Sequence, residues 1–170
     1  MKEIEIKILE IDVDKLIVQL KELGARRVFN GKMDVNFFDF DDRRLKKSKK
    51  CLRLRQVGDK VEFTLKQKLE KKQAKIVDEY EVCVSDFHEM KTILYELGLH
   101  TYRHYNKQRT SYVIGSTRFE IDIIEDLPAF LEIEAASVSE LFEWVEKLGY
   151  KKEQALPWSG SDVLKHYGKL

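Results

Sequence analysis

The chain has 170 residues and a mass of 20.1 kDa, and its 43% hydrophobic and 11% aromatic content can build the core of one domain spanning 1–170. A formal net charge of +1 over 36% charged residues predicts no polyanion partner from global charge, and requires acids and bases to be arranged against one another. No apolar run reaches membrane-span length, no basic-then-apolar opening marks a signal peptide, and Cys51 and Cys83 form no C-x-x-C pair, so the expectation is a cytoplasmic protein with reduced thiols, no zinc and no membrane contact.

The opening Glu3-Ile-Glu-Ile-Lys7 alternates with period two. As a strand it puts Ile4, Ile6 and Ile8 on one face and Glu3, Glu5 and Lys7 on the other. Leu16, Ile17, Leu20 and Leu23 follow at helical spacing, capped by Asp12 or Asp14 and stopped by Gly24. Residues 41–50 are polar and read as irregular. Residues 51–68 form a hairpin around Gly58-Asp59, and 69–75 read as a second irregular polar stretch. A helix runs from Ser85 through Phe87, Met90, Ile93, Leu94 and Leu97 to Gly98. Residues 106–124 form a hairpin around Gly115-Ser116. The last helix starts at Ser137, whose spacing to Glu140 fits a capping box, and stops at Gly149 after Leu141, Phe142, Val145 and Leu148. The fold class is α+β, dominated by antiparallel strands. Only two prolines, Pro128 and Pro157, interrupt it, and no linker divides it.

Three segments repeat one plan: a Glu-x-Glu strand (Glu3/Glu5, Glu79/Glu81, Glu132/Glu134), a helix, then Leu-Gly. Their unequal spacing excludes a solenoid and suggests a symmetric sheet with helices outside. One strand alone would put its charged side in water. The hairpins change that reading. Pairing about a two-residue turn places Arg55 opposite Glu62, Arg53 opposite Thr64 and Cys51 opposite Lys66, so Arg53, Arg55, Lys66 and Lys68 share a face. In the second hairpin Arg109 falls opposite Asp122 and Ser111 opposite Glu120, and Lys107 extends the charged face. The opposite faces carry Leu52, Leu54, Phe63, Leu65, Tyr112, Phe119, Ile121 and Ile123, which need the three helices as cover. The charges then line the concave side of a curved sheet whose closure removes its edges. Clustered carboxylates call for a hard divalent cation, and the cations suit phosphate oxygens. No Walker loop is present, so side chains would grip the phosphates.

In this order the motifs Glu3-Ile-Glu-Ile-Lys7, Leu52-Arg-Leu-Arg55, Thr64-Leu-Lys66, Glu79-Tyr-Glu81, Lys107-Gln-Arg109, Phe119-Glu-Ile-Asp122 and Leu131-Glu-Ile-Glu134 resemble the CYTH, or triphosphate tunnel metalloenzyme, superfamily. The resemblance implies a closed eight-stranded antiparallel tunnel, dependence on Mg²⁺ or Mn²⁺, and a triphosphate-bearing substrate. It implies Glu3, Glu5 and Glu134 as metal ligands, with Asp122 and Glu132 as further ligands or supporting groups. Arg53, Arg55, Lys66, Lys107 and Arg109 would hold the triphosphate, Lys68 either contacts phosphate or sits solvated at the mouth, and Lys7 lies at the reacting phosphate. Lys7, Lys66 and Arg109 are the expected catalytic groups. Glu79, Glu81 and Glu120 either join the site or orient its cations. Ile6 stands where inorganic triphosphatases of the superfamily favour arginine, and Phe37-Phe38 replaces a tyrosine-bearing segment. Both features lean toward class IV adenylyl cyclases, with ATP as substrate, over triphosphatases of tripolyphosphate, thiamine triphosphate or nucleoside triphosphates.

Other readings are a non-catalytic polyphosphate- or nucleotide-binding module, which would not need so many acids, and RNA binding through residues 43–50. Basic loops are usually only solvated, so no nucleic-acid partner is expected. His88, His100, His104 and His166 show no ligand spacing, and Met90 and Trp144 fall on helical stripes as core. The tail 157–170 either closes a tunnel mouth with Trp158, Ser159 and Lys165 or lies on the surface. An exposed barrel flank would permit a homodimer.

Overall fold

The computed structural model describes residues 2–170. Strands β1 (Lys2–Leu9), β2 (Arg26–Asp39), β3 (Lys50–Val57), β4 (Lys60–Lys71), β5 (Lys75–Val84), β6 (His100–Ile114), β7 (Thr117–Ile124) and β8 (Phe130–Glu134) are interspersed with helices α1 (Val13–Glu22, after β1), α2 (Arg44–Lys47, after β2), α3 (Phe87–Glu96, after β5), α4 (Val138–Lys147) and α5 (Gly160–His166), the last two after β8. The strands close into an antiparallel barrel in the order β1-β5-β4-β3-β2-β6-β7-β8.

Both hairpins have the register that their turns dictate. Val57 pairs with Lys60 and Arg55 with Glu62; Ile114 pairs with Thr117 and Arg109 with Asp122. Gly58 and Gly115 open the turns at φ +59° and +56°, where a side chain would be strained. Most of the outward apolar residues are covered as the alternation requires, whereas Ile123, expected under cover, is exposed. Ile6, Ile8, Phe119, Ile121, Leu131 and Ile133 pack under Leu16 and Leu20 of α1 and Leu141 and Val145 of α4. Phe38, Leu52, Leu54 and Val61 pack against Leu94 of α3. Each fully buried side chain of this size contributes about 1.5–3 kcal/mol by leaving water. Met90 and Trp144 are partly buried against these clusters, as their helical spacing predicts. His88 is exposed on α3.

Local capping sets the helix starts. Asp12 accepts from Lys15 N and Ser137 from Glu140 N, while Glu140 reaches back to the backbone N–H of Ala136 rather than to the cap residue itself. The second long helix begins one residue later than expected, because Asp86 and not Ser85 accepts from Glu89 N at 2.8 Å.

Two stretches expected to be irregular are ordered. Within 41–50, α2 forms because Asp39 accepts from Leu45 N at 3.0 Å and Lys46 N at 3.1 Å, a cap supplied from outside the helix. Within 69–75, the β4–β5 ladder continues through Glu70–Ile76 and Lys71–Lys75, past an irregularity between Lys68 and Glu70. The tail also has a fixed place. Where β5 leaves β1 after the Glu5–Lys75 pair, Leu156 exchanges two 2.8 Å backbone hydrogen bonds with Lys7. Helix α5 follows, its Val163 and Leu164 packed on Ile124, Leu127 and Phe130 at one end of the barrel. Among the described residues no helix is long and apolar enough to cross a membrane.

Candidate active site

The barrel interior is a cavity of about 1230 Å³, and its walls are the charged faces of the strands. Every residue expected at the site lines it: Glu3, Glu5, Lys7, Arg53, Arg55, Lys66, Lys68, Glu79, Glu81, Lys107, Arg109, Glu120, Asp122, Glu132 and Glu134. Most of them pair with one another. From β1, Lys7 donates to Glu5 at 2.8 Å and to Glu132 of β8, and Lys75 of β5 also donates to Glu5 at 2.8 Å. Lys66 of β4 bonds Glu3 at 2.5 Å and Glu79 at 3.0 Å. Arg53 lies 3.5 Å from Glu79 and 3.6 Å from Glu81, and Arg55 pairs with Glu62 and approaches Glu81 at 3.5 Å.

Asp122 is engaged on both oxygens. Arg109 donates to them through Nε and Nη2, each at 2.6 Å, and Lys107 adds a third bond at 2.8 Å. Arg109 also contacts Glu120 and lies 3.5 Å from Glu132. The geometry therefore sets Asp122, expected near the metal, between two cations. Lys68 is exposed at the rim.

These contacts decide the charge states. Burial alone would pull Lys7 down, but Glu132 and Glu5 outweigh it and hold the ammonium above its ordinary range. Lys66 is likewise raised, with burial and Arg53 opposed by Glu3, Glu5 and Glu79. Lys107 goes the other way. Burial and the neighbouring Arg109 push it down to about 7, since Asp122 is shared with that arginine and cannot compensate both. Glu132 is held well below the usual carboxylate range, its burial outweighed by Lys7, Arg109 and Lys107.

Glu134 is the exception among the acids. Its side chain makes no hydrogen bond or ion pair among the described residues, and burial together with Glu3, Glu132 and Glu5 pushes it up to about 7 against a partial offset from Lys66. The cations also have spare capacity. Among the described residues the buried side-chain polar atoms without a partner are Arg53 Nε and Arg103 Nε, both on tunnel-lining arginines. An arginine fork with an unused donor suits an anionic oxygen.

Sequence reasoning missed Glu62, Lys75, Tyr102, Arg103 and Tyr105, all of which line the cavity. Glu62 had a signal, its place opposite Arg55. Lys75 was hidden in a stretch that reads as loop. Tyr102 was hidden by an irregularity: Phe37 pairs with Arg103 but Phe38 with Thr101, so Tyr102 is an extra residue that breaks the alternation.

A closed antiparallel barrel lined by paired acids and bases defines a class of tunnel protein, and comparison with known proteins places the chain within it. The CYTH domain model matches residues 1–167, and this protein belongs to the CYTH family. A Methanocaldococcus jannaschii protein named "putative adenylate cyclase" is 31% identical over 143 residues, covering 84% of this chain and 81% of that one. The X-ray structure of a "putative adenylate cyclase" from Vibrio parahaemolyticus has a TM-score of 0.85 at 15% identity, covering 96% of this chain and 97% of that one. A Hippeastrum protein, described as a "putative adenylyl cyclase" with a dominant triphosphatase activity, has a TM-score of 0.70 at 17% identity, covering 99% of this chain and 97% of that one. The two structural likenesses extend to the fold.

Proposed function

We propose that this protein is a divalent-metal-dependent enzyme acting on a triphosphate-bearing substrate inside the tunnel, with ATP converted to cyclic AMP and pyrophosphate. The observation that carries this reading is the pairing pattern. The Glu134 side chain stands without a partner beside Glu3 and Glu132 while Arg53 keeps an unused buried donor, so the walls hold crowded carboxyl oxygens in one place and unused cationic capacity in another.

Among the described residues no group of three or more His, Cys, Asp or Glu stands in metal-binding geometry, and Lys66 pairs with Glu3 and Lys75 with Glu5. The donor chemistry nonetheless fits a hard cation: Glu3, Glu5, Glu132 and Glu134 present carboxylate oxygens. When bound there, Mg²⁺ or Mn²⁺ supplies charge neutralisation on phosphate oxygens. Lys66 and Lys7 then exchange carboxylate partners for phosphate partners, so the ion pairs of the free tunnel hold its cations in place without collapse. Arg53, Arg55, Lys107 and Arg109 fix the chain of phosphates, and Asp122 orients Arg109 and Lys107. In the cyclisation the ribose 3′-oxygen forms a bond to the α-phosphorus and the bond from that phosphorus to the bridging oxygen breaks. Pyrophosphate leaves with the bond's electron pair, and the hydroxyl proton passes to solvent. Catalysis is positioning and charge stabilisation.

Triphosphate hydrolysis is the second reading, and one observation favours it. Phe37 lacks a hydroxyl, but Tyr105 on the neighbouring strand lines the same cavity, its ring 5.9 Å from that of Phe37. The test of the shared reading is turnover of ATP or tripolyphosphate with Mg²⁺ or Mn²⁺, lost on chelation. No turnover of any triphosphate with either metal would overturn it.

A further inference from the structure

Charge is graded along the tunnel axis. The charged inward residues of β1 run Glu3, Glu5, Lys7 and those of β4 run Glu62, Lys66, Lys68, whereas β5, antiparallel to both, runs Lys75, Glu79, Glu81. The three gradients therefore point the same way, and the barrel has an acidic mouth and a basic one. At the acidic mouth Glu62, Glu81, Glu120 and Glu134 line the cavity, with Arg118 opposite Glu134 in the β7–β8 register. The basic mouth lies between α2 and α5: Arg43, just before α2, sits over the Tyr102 ring, and the adjacent Arg103 donates to Ser161 of α5.

Lys46, Lys49, Lys50 and Lys165 line the cavity at this mouth and are exposed. None has an ion-pair partner among the described residues, because nearby acids are taken by other cations: Asp162 by Lys71 at 2.9 Å, Asp39 by Arg43 at 3.8 Å and Asp42 by Arg44 at 3.0 Å. A basic loop with no fixed place is only solvated. This one is pinned at the rim, since Asp39 accepts from Leu45 N and Lys46 N and Lys68 N donates to Lys49 O at 3.0 Å. Like charges held together without counter-charge repel one another, and at the entrance of a cleft they concentrate an anion. At about 0.15 M salt such a field fades within roughly 8 Å, so only charges at the entrance itself act on an arriving ligand.

We propose that the triphosphate enters through the mouth between α2 and α5, drawn in by an electrostatic collar of Lys46, Lys49, Lys50 and Lys165, and that repulsion bars it from the acidic mouth. This rests on the triphosphate reading above and adds the route and rate of entry. The collar lies outside the ion-paired wall that grips the phosphates, so it speeds capture and leaves the bound state and the chemistry to the residues inside.

Stopped-flow binding of methylanthraniloyl-ATP, a ribose-labelled fluorescent analogue, with Mg²⁺ at rising salt measures the association rate. The wild-type rate is expected to fall steeply with salt, and Lys46→Glu/Lys50→Glu to lower it about tenfold at low salt and to flatten that dependence. Dissociation should stay within twofold, with thermal melts verifying folding. Lys15→Glu/Lys21→Glu on α1 makes the same change in net charge outside the cavity lining, and Arg118→Glu changes the acidic mouth; each should alter association less than twofold. A wild-type rate indifferent to salt, an unchanged rate in the collar variant, an equal fall in both double variants, or a larger fall in Arg118→Glu overturns the entry route and leaves the triphosphate reading standing. Absence of any binding that excess tripolyphosphate displaces overturns both.

Discussion

Glu5 and Glu134 are both carboxylates of the tunnel wall, yet their surroundings predict opposite responses to the same change. Glu5 accepts from Lys7 and Lys75, each at 2.8 Å, and is 2% exposed. Glu5→Gln leaves one buried and one half-buried ammonium group short of a counter-charge, so the melting temperature should fall; under the proposed metal-binding role of Glu5, kcat/KM should also fall by about a hundredfold or more. Glu134→Gln removes a carboxyl whose side chain has no partner and which faces three acidic neighbours, Glu3, Glu132 and Glu5. Thermal stability should hold or rise while the metal concentration needed for activity increases; a fall in melting temperature as large as that of Glu5→Gln would contradict the assignment. The residue identities were legible in the sequence because inward charges follow period two. Their pairings were not, since Lys66 reaches Glu3 across 63 positions and Asp122 is shared by two cations.

Elements were legible where one local rule set them. Two-residue glycine turns fixed both hairpin registers, and three helices stopped at glycines with positive φ: Gly24, Gly98 and Gly149. Elements that depend on remote partners were not legible, as with α2 held by Asp39 and α5 held by the barrel end. Helix α5 carries its own prediction. Asp162 accepts from Ser159 N at 2.7 Å and Oγ at 2.6 Å and pairs with Lys71 at 2.9 Å. Burial works against its charge, but the Ser159 and Lys71 contacts prevail and bring the carboxyl down to about 2, below its ordinary 3.8. The folded state therefore binds fewer protons than the unfolded chain between those values. The contribution is present above pH about 4 and fades as pH falls toward 2, amounting to about 1 kcal/mol after solvent screening of a partly exposed pair. Asp162→Asn should lower stability at pH 7 by that amount and little at pH 2, measured by denaturant unfolding; an equal loss at both values would contradict the ion-pair account.

Across the whole molecule the usual placement of charge is reversed. Apolar strand faces lie under helices on the outside, and the barrel encloses ion pairs in a cavity large enough to stay wet. Buried pairs of this kind are weak evidence for stability and strong candidates for exchange with a charged ligand. Closure also explains why the alternating strands need no apolar interior: the ladder is complete around the barrel, so no edge is left to protect. The most direct measurement is product identification by phosphorus NMR after incubating the purified protein with ATP and Mg²⁺ or Mn²⁺. Cyclic AMP and pyrophosphate in equal amounts, absent after chelation, are the predicted result. Release of orthophosphate would contradict cyclisation while keeping the triphosphate reading, and unchanged ATP and tripolyphosphate with either metal would contradict the account as a whole.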